Sequence, residues 1–539
     1  MLQRTHLYRL LALIATTAVL FTSCRQEAGR AVENPALDLV PTDAVLILES
    51  DSLAPLIGRL NRIAPLAGLL PQAGPLGGEP LLLRPGVVSV HQTFRNSYQY
   101  LLILVTNDRS NASALQRMVE RISGRTGRWT ERKYSGQLIH RVDFEKGAPT
   151  PSLSLSVLDR FVVLSPSPIL VENAIRLQGQ PPLKERIPAV GRLAWLTGQQ
   201  DGSRILVNLK AFPALVGSGL NAKSAEPFLR FNRYGEWAGL NLTLYEQMLL
   251  LKGVALPGDT VSSYLNIFAG QKPVPMSTSR QLPAGTTAFY SVGIDQPATY
   301  LKALSDYLGG TPAGVARQRI MARTEKLIKG SLEEAFQEIG LSELTLAWIP
   351  VDSAGPYRPI VVAAVRNRSK LQARLEEWSP KSESTHSKED TTSGLTLSRP
   401  MPIEELPRML GGGWFDRVKG SWYAISGNLL ILADEPGLVD RFLQQQSLNQ
   451  LMDTDPMFLT LTGQFPVRSN LTGYLVPARS QPMLREMMNK NLARSLGANN
   501  ALFEKTGAIS FQANSRDGVL NHDLTVWFGP PPIVTGTER

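Results

Sequence analysis

Cysteine is almost absent from this chain, because Cys24 is the only one among 539 residues. A single thiol cannot form an intramolecular disulfide, and it cannot supply the several sulfur ligands of a structural zinc site. Histidine is scarce as well, and none of the five stands in the H-E-x-x-H spacing of a helix-borne metal site: His6, His91, His140, His386 and His522. The sequence therefore predicts no metal site and no cofactor, with stability that comes from packing.

Recognisable catalytic motifs are also missing. The chain contains no G-x-S-x-G nucleophile elbow and no phosphate-binding glycine loop placed between a strand and a helix. The paired carboxylates Glu333–Glu334 and Glu376–Glu377 lie in helical patterns beside Lys and Arg, which is typical of solvated faces. The glycine cluster in MLGGGWFDR (409–417) has two interpretations, a ligand or partner contact and a tight turn buried by two aromatic residues. From these observations we expect that the protein is not an enzyme.

Positive charge exceeds negative charge by ten, yet it is not concentrated. Lysine and arginine occur singly or in pairs along the chain, whereas nucleic-acid binding requires a clustered basic patch. The sequence therefore predicts no nucleic-acid partner.

Long apolar runs are absent apart from LLALIATTAVLF (10–21), which follows Arg4 and Arg9. This run suits the core of a signal peptide and is shorter than the roughly 20 residues of a membrane-spanning helix. The following residues, FTSC (21–24), resemble the lipobox of bacterial lipoprotein precursors, although Phe21 stands where leucine is usual. The resemblance implies cleavage before Cys24 and lipidation of its thiol. An ordinary secretory signal and a retained signal anchor are the alternatives.

The chain repeats itself. The segment SVLDRFVVLSPSPILVENAI (156–175) aligns without a gap to AISGNLLILADEPGLVDRFL (424–443), and each copy predicts strand, turn, strand and a proline that opens a helix. Four weaker matches follow in the same order: 40–48 with 282–290, 100–122 with 357–379, 203–209 with 469–475, and 237–244 with 506–513. Duplication of one module explains the common order, whereas a general similarity among strand-rich segments is the alternative.

The repeats define a domain plan. It consists of a signal peptide (1–23), a tether (24–37), a first module (38–258), a linker (259–281), a second module (282–528) and a disordered tail (529–539). Within each module, short alternating strands and amphipathic helices predict an α+β fold, with largely antiparallel sheets and helices packed on one face. The pattern predicts helices over 52–70 and 314–340, the second broken near Gly330, and hairpins over 239–256 and 507–528.

The lipobox, LVPTDAVLILES (39–50), LPAGTTAFYSVGIDQPATYLKAL (282–304), the block from GGGWFDR to GLVDRFL (411–443) and SNLTGYLVP (469–477) together resemble a known family. It is the group of uncharacterised Bacteroidetes-type envelope lipoproteins of domain-of-unknown-function family 3352. The resemblance implies a secreted, lipid-anchored, repeat-built protein, and it supplies no catalytic residue.

Three functions follow as hypotheses. The first is a non-catalytic envelope protein that presents two related modules for scaffolding or for interaction with protein partners. The second is a periplasmic carrier of an apolar ligand such as a lipid, and a hydrolase whose site assembles from distant residues is a remote third. The anchor would lie in the cell envelope, with the periplasmic face of the outer membrane favoured because Arg25 rather than aspartate follows Cys24. Cys24 is the one residue to which the sequence assigns a chemical role.

Overall fold

The computed structural model describes residues 34–63, 84–94, 97–106, 127–144, 152–197, 202–258, 263–351, 356–379, 398–463, 466–497 and 501–530. These residues combine helices with antiparallel sheet, which confirms the coarse fold prediction. They form two compact units. Unit 1 contains the residues up to Gly258 together with Gln481–Thr506 and Asn521–Gly529, and unit 2 contains Asp259–Ser480 together with Gly507–Leu520.

An antiparallel sheet runs through unit 1. Its described strands within the first 258 residues are β1 (Ala44–Ser50), β2 (Gly86–Phe94), β3 (Ser97–Val105), β4 (Gly127–Tyr134), β5 (Gln137–Phe144), β6 (Ser152–Leu158), β7 (Phe161–Ser165), β8 (Ser203–Asn208), β9 (Trp237–Leu244) and β10 (Met248–Ala255). Their order across the sheet is β10-β9-β8-β1-β2-β3-β7-β6-β5-β4. The predicted hairpin over 239–256 corresponds to β9 and β10 and is confirmed.

The helices of unit 1 within this part of the chain are α1 (Leu53–Arg62), α2 (Pro168–Arg176), α3 (Leu183–Arg186), α4 (Pro188–Thr197), α5 (Phe212–Gly217) and α6 (Ala222–Leu229). Helix α1 buries Leu53, Ala54 and Leu56, and the rest of the predicted helix, 64–70, lies outside the described residues. Helix α2 begins at Pro168, as predicted, because the first turn has no partner for a backbone N–H.

The larger strands of unit 2 also pair in antiparallel fashion. Its strands are β12 (Ala288–Gly293), β13 (Leu341–Pro350), β14 (Tyr357–Val365), β15 (Arg399–Pro400), β16 (Trp422–Ser426), β17 (Leu429–Ala433), β19 (Leu471–Leu475) and β20 (Thr506–Arg516). Their order is β20-β19-β12-β13-β14-β17-β16-β15. Two short strands, β11 (Val274–Pro275) and β18 (Arg468–Ser469), form a separate pair.

The helices of unit 2 are α7 (Thr278–Gln281), α8 (Pro297–Leu308), α9 (Pro312–Ile328), α10 (Leu332–Ile339), α11 (Arg368–Trp378), α12 (Leu406–Gly411), α13 (Pro436–Ser447) and α14 (Pro456–Thr462). The predicted break near Gly330 is confirmed. Lys329 directly follows α9 and adopts the left-handed conformation with φ 52°. The side chain of Ser331 caps α10 by accepting a hydrogen bond from the backbone N–H of Glu334. Residues 264–268, inside the predicted linker, form a 3-10 helix with buried side chains.

Three further helices and one strand complete the described chain: α15 (Pro477–Met487), α16 (Lys490–Gly497), α17 (Ala501–Lys505) and β21 (Val519–Phe528). Strand β21 pairs with β10 in unit 1. The turn before it is the predicted Asp517–Gly518, and both residues have positive φ, 52° and 77°, as a type I′ hairpin turn requires.

Both faces of β12 carry helical segments. Phe289 contacts Phe458 of α14 with ring centroids 6.1 Å apart, whereas the adjacent Tyr290 stacks on Trp414 at 5.2 Å. Neighbouring residues of a strand point to opposite faces of its sheet. The prediction that helices pack on one face is therefore not confirmed.

Candidate functional site

Cys24, the predicted lipidation residue, lies outside the described residues, as do His6, His386 and the segment 531–539. The lipidation of Cys24 therefore stays a prediction. The sequence did not predict the buried polar contacts of the described residues. The first of these contacts is centred on His91.

Ser89, His91 and Asp43 form a hydrogen-bonded chain in unit 1. His91 Nδ1 lies 2.8 Å from Asp43 Oδ1, and His91 Nε2 lies 2.8 Å from Ser89 Oγ. A carboxylate only accepts, so Nδ1 carries the proton and Nε2 of a neutral imidazole accepts from the serine hydroxyl. This connectivity is that of a Ser-His-Asp triad. The alternating spacing of Ser89 and His91 on β2 could have revealed their common face, but nothing in the sequence pointed to Asp43.

The burial of these three residues differs from that in a hydrolase, where the nucleophilic serine must be accessible to substrate. Ser89 and His91 are fully buried, whereas the Asp43 side chain is 60% exposed. Ser89 sits in the middle of the sheet opposite Ile47 of β1 and Leu101 of β3, which are both fully buried. A nucleophile must reach a carbonyl carbon at about 3 Å, and a hydroxyl in this position meets only neighbouring strands. The three residues connect the segment just before β1 to β2 through hydrogen bonds.

The hydrogen bond from His91 holds the pKa of Asp43 below its usual range. Because the pKa is lower in the folded state, ionised Asp43 stabilises the fold above its unfolded-state pKa. That contribution is lost as pH falls through the folded-state pKa.

A fluorophosphonate probe, which labels activated serines, is expected to leave Ser89 unmodified because its hydroxyl is fully buried. The measurement is gel fluorescence and peptide mass spectrometry of the native protein, with the variant Ser89→Ala beside it. Equal background in the two proteins is the expected result. Labelling that disappears in Ser89→Ala would support the hydrolase hypothesis.

The other two described histidines lie in strands. His140 on β5 pairs with Glu131 at 3.0 Å and packs edge-on against Trp129. His522 on β21 is fully buried and packs edge-on against Tyr234. Among the described residues, no group of three His, Cys, Asp or Glu is arranged to hold a metal ion.

A row of polar side chains crosses the unit 1 sheet from β10 to β1. The register places Lys252 beside Asn241, Asn241 beside Arg204, and Arg204 beside Glu49. Arg204 donates to Glu49 Oε2 from Nη2 at 2.7 Å and from Nε at 3.1 Å, and both side chains are buried. Such pairs fix register because a shifted strand would leave a charge buried alone.

Asp523 of β21 lies 3.4 Å from the ammonium of Lys252 and is almost fully buried. Burial raises the pKa of Asp523 to about 7, although Lys252 opposes the shift. Below about pH 7 the folded protein therefore holds a proton that the unfolded chain releases near pH 4. The free energy of unfolding therefore decreases as pH rises through this interval.

The glycine cluster forms a partly buried turn in unit 2, in keeping with the second of the two interpretations of the sequence. Gly411 ends α12, Gly412 has φ 67°, and Phe415 is fully buried. A Cβ on Gly411 would lie 2.0 Å from Cδ2 of Phe415, so the ring occupies the space that a side chain would need. Trp414 stacks on Tyr290 and serves as a packing residue.

A cavity of about 60 Å³ lies beside β19 in unit 2. Its walls include hydroxyls and an amide as well as aromatic rings. It is far smaller than the several hundred Å³ of a drug-sized ligand pocket, which a lipid carrier would need.

Comparisons with protein families, curated proteins and solved structures found no match. Among the described helices, none has both the length and the apolar composition that crossing a membrane requires.

Proposed function

We propose that this protein is a non-catalytic lipoprotein of the bacterial cell envelope that presents two duplicated modules to protein partners. The observation that carries the proposal is the strand order. Eight strands of unit 1 run β9-β8-β1-β2-β3-β7-β6-β5, and eight strands of unit 2 run β20-β19-β12-β13-β14-β17-β16-β15. In both lists the chain begins at the third strand and then passes through the other seven positions in the same order.

The five sequence matches support the same duplication. Each pairs elements at equivalent places in the two orders: β1 with β12, β3 with β14, β6-β7-α2 with β16-β17-α13, β8 with β19, and β9 with β20. Matching sequence segments and matching strand order are independent observations, and common descent from one module explains both. A duplicated module whose described residues share no reactive site favours presentation of two similar surfaces over catalysis.

The sequence supports the anchor and its location. The short apolar run and FTSC (21–24) favour lipid attachment at Cys24, and a diacylated or triacylated cysteine holds a protein firmly to a membrane. We propose the periplasmic face of the outer membrane as its place, because Arg25 rather than aspartate follows Cys24. The apolar-ligand alternative finds no support in the unit 2 cavity, which is small and partly polar.

The variant Cys24→Ser is expected to lose all incorporation of radiolabelled or alkyne palmitate, because lipidation requires the thiol. The protein should also move from the membrane fraction to the soluble fraction. Ser23→Ala is a matched control, since a small residue remains before the cleavage site and labelling should persist. Unchanged labelling of Cys24→Ser would refute the anchor.

Presentation of the modules is tested by crosslinking the lipidated protein in intact cells and identifying what is attached. We expect envelope proteins bound through residues of both modules, in equal yield from lipidated protein and from a variant anchored by a different lipoprotein signal. Co-purification of lipid with no crosslinked protein would instead support the carrier.

A further inference from the structure

The exposed side of helix α9 carries three cationic residues on successive turns. Arg319, Arg323 and Lys326 are exposed, and their i, i+4 and i+7 spacing places them on one face over about 10 Å of the helix axis. Arg317 and Thr324 are buried on the opposite face. The helix thus gathers charges that are separated in the sequence, and we call Arg319, Arg323 and Lys326 the basic stripe.

Acidic side chains neutralise little of the basic stripe. Glu404 lies 3.7 Å from Arg323, but the two side chains are 77% and 72% exposed, and ion pairs so open to water are weak. Glu325 is the one acidic residue of α9, and its carboxylate accepts a hydrogen bond from the backbone N–H of Leu332 at 3.1 Å. Among the described residues, the other two members of the stripe have no ion-pair partner. The stripe therefore presents positive charge to the surface.

This arrangement opposes the stability of the helix. Arg319 and Arg323 are four residues apart, and like charges at that spacing repel each other and destabilise a helix. Helix faces that are only solvated usually alternate positive with negative side chains, which avoids this repulsion. A face of one sign therefore indicates a partner of the opposite charge.

Exposed apolar side chains beside the stripe narrow the class of that partner. Leu327 is 66% exposed and stands four residues after Arg323, and Val315 is 42% exposed and stands four residues before Arg319. At an anionic membrane, cations meet the headgroups while neighbouring apolar side chains enter the boundary with the acyl chains. An acidic peptide or a nucleic acid would satisfy the cations alone, so the combination favours a lipid surface.

We propose that the basic stripe contacts the anionic headgroups of the membrane that carries the protein, with Leu327 at the interface. The proposal rests on the envelope location proposed above, since that location supplies the membrane. Each cation near anionic headgroups strengthens binding about fivefold, so three of them form a weak contact by themselves. A lipid anchor makes such a contact effective, because it already holds the protein close to the surface. The contact orients unit 2 on the membrane.

Vesicle sedimentation of the unlipidated chain 24–539 with Cys24→Ser tests the contact without the anchor. This parent chain should bind phosphatidylcholine vesicles that contain about 30% phosphatidylglycerol, and it should bind pure phosphatidylcholine at least about tenfold more weakly. Salt at about 0.5 M should abolish the difference, because it screens the charges. The triple variant Arg319→Gln, Arg323→Gln and Lys326→Gln should weaken binding to the anionic vesicles by about tenfold or more.

A matched control removes the same charge elsewhere in unit 2. Its substitutions are Lys272→Gln, Arg358→Gln and Arg368→Gln, at exposed residues outside α9. It should bind the anionic vesicles within about twofold of the parent chain, since attraction to headgroups falls off within a Debye length. A thermal melt of each variant shows that folding is retained. Equal weakening by the two triple variants would assign the binding to net charge and overturn the proposal, as would the absence of binding to the anionic vesicles at low salt.

A single thiol locates the contact. Cys24 is the only cysteine, so the Cys24→Ser chain can carry one new cysteine for an environment-sensitive fluorophore. With Leu327→Cys, the emission should shift to the blue on anionic vesicles. With Leu448→Cys, at a 56% exposed residue just after α13, the emission should stay unchanged, and any other pattern contradicts contact through α9. Palmitate labelling at Cys24 tests the anchor separately, so either proposal can fail without the other.

Discussion

Replacing Arg204 with methionine is expected to lower the free energy of unfolding by about 3–5 kcal/mol, because the carboxylate of Glu49 would stay buried without its partner. The pair is held by two hydrogen bonds to one oxygen, and both side chains are under 10% exposed. Removing one member of a buried pair costs far more than the pair contributes in total, since the remaining charge has lost both water and its counter-charge.

Urea unfolding followed by circular dichroism measures the effect. The double variant Glu49→Leu with Arg204→Met should recover much of the loss, because no charge then remains buried. Arg192→Met is the matched control: Arg192 pairs with Glu236 at 3.1 Å in the same unit but is half exposed, and its loss should cost at most about 1 kcal/mol. Equal costs for the Arg204 and Arg192 variants would contradict the buried-pair account.

Gly411→Ala is the second change with a large expected effect, a loss of about 1–3 kcal/mol or more. The added Cβ would lie 2.0 Å from Cδ2 of Phe415. That ring cannot move outward easily, because Phe415 is fully buried in a packed interior.

Thermal unfolding of three variants isolates this contact. Gly413→Ala is the matched control in the same cluster: Gly413 is exposed and the nearest atom to its new Cβ is 3.9 Å away, so the melting temperature should barely change. Gly411→Ala combined with Phe415→Leu should recover part of the loss. If Gly411→Ala has the same melting temperature as the unaltered protein, packing against Phe415 does not require glycine at this position.

Local sequence signals predicted local structure well. Pro168 and Pro436 each open the helix that was expected after a strand, a turn and a strand, and Asp517–Gly518 forms the expected turn. These features depend on residues within one or two turns of each other, where backbone preferences of proline and glycine decide the conformation.

The chemistry of the interior could not be predicted, since it depends on register between distant strands. Asp43 meets His91, and Glu49 meets Arg204, only because β1 lies between β2 and β8 in one particular alignment. A shift of one residue would turn each of these side chains to the other face. Thr472 and Ser510 line one cavity for the same reason, and no sequence motif predicts that they do.

The division of the chain has a consequence for biosynthesis. Strand β21 and helices α16 and α17 belong to unit 1, although more than two hundred residues of unit 2 precede them. A chain that is made from its amino end delivers β10 long before β21. Until then, β10 keeps an open edge and Lys252 lacks Asp523. An unpaired strand edge invites pairing with other chains, so the first half of the chain is prone to aggregation until β21 has been made.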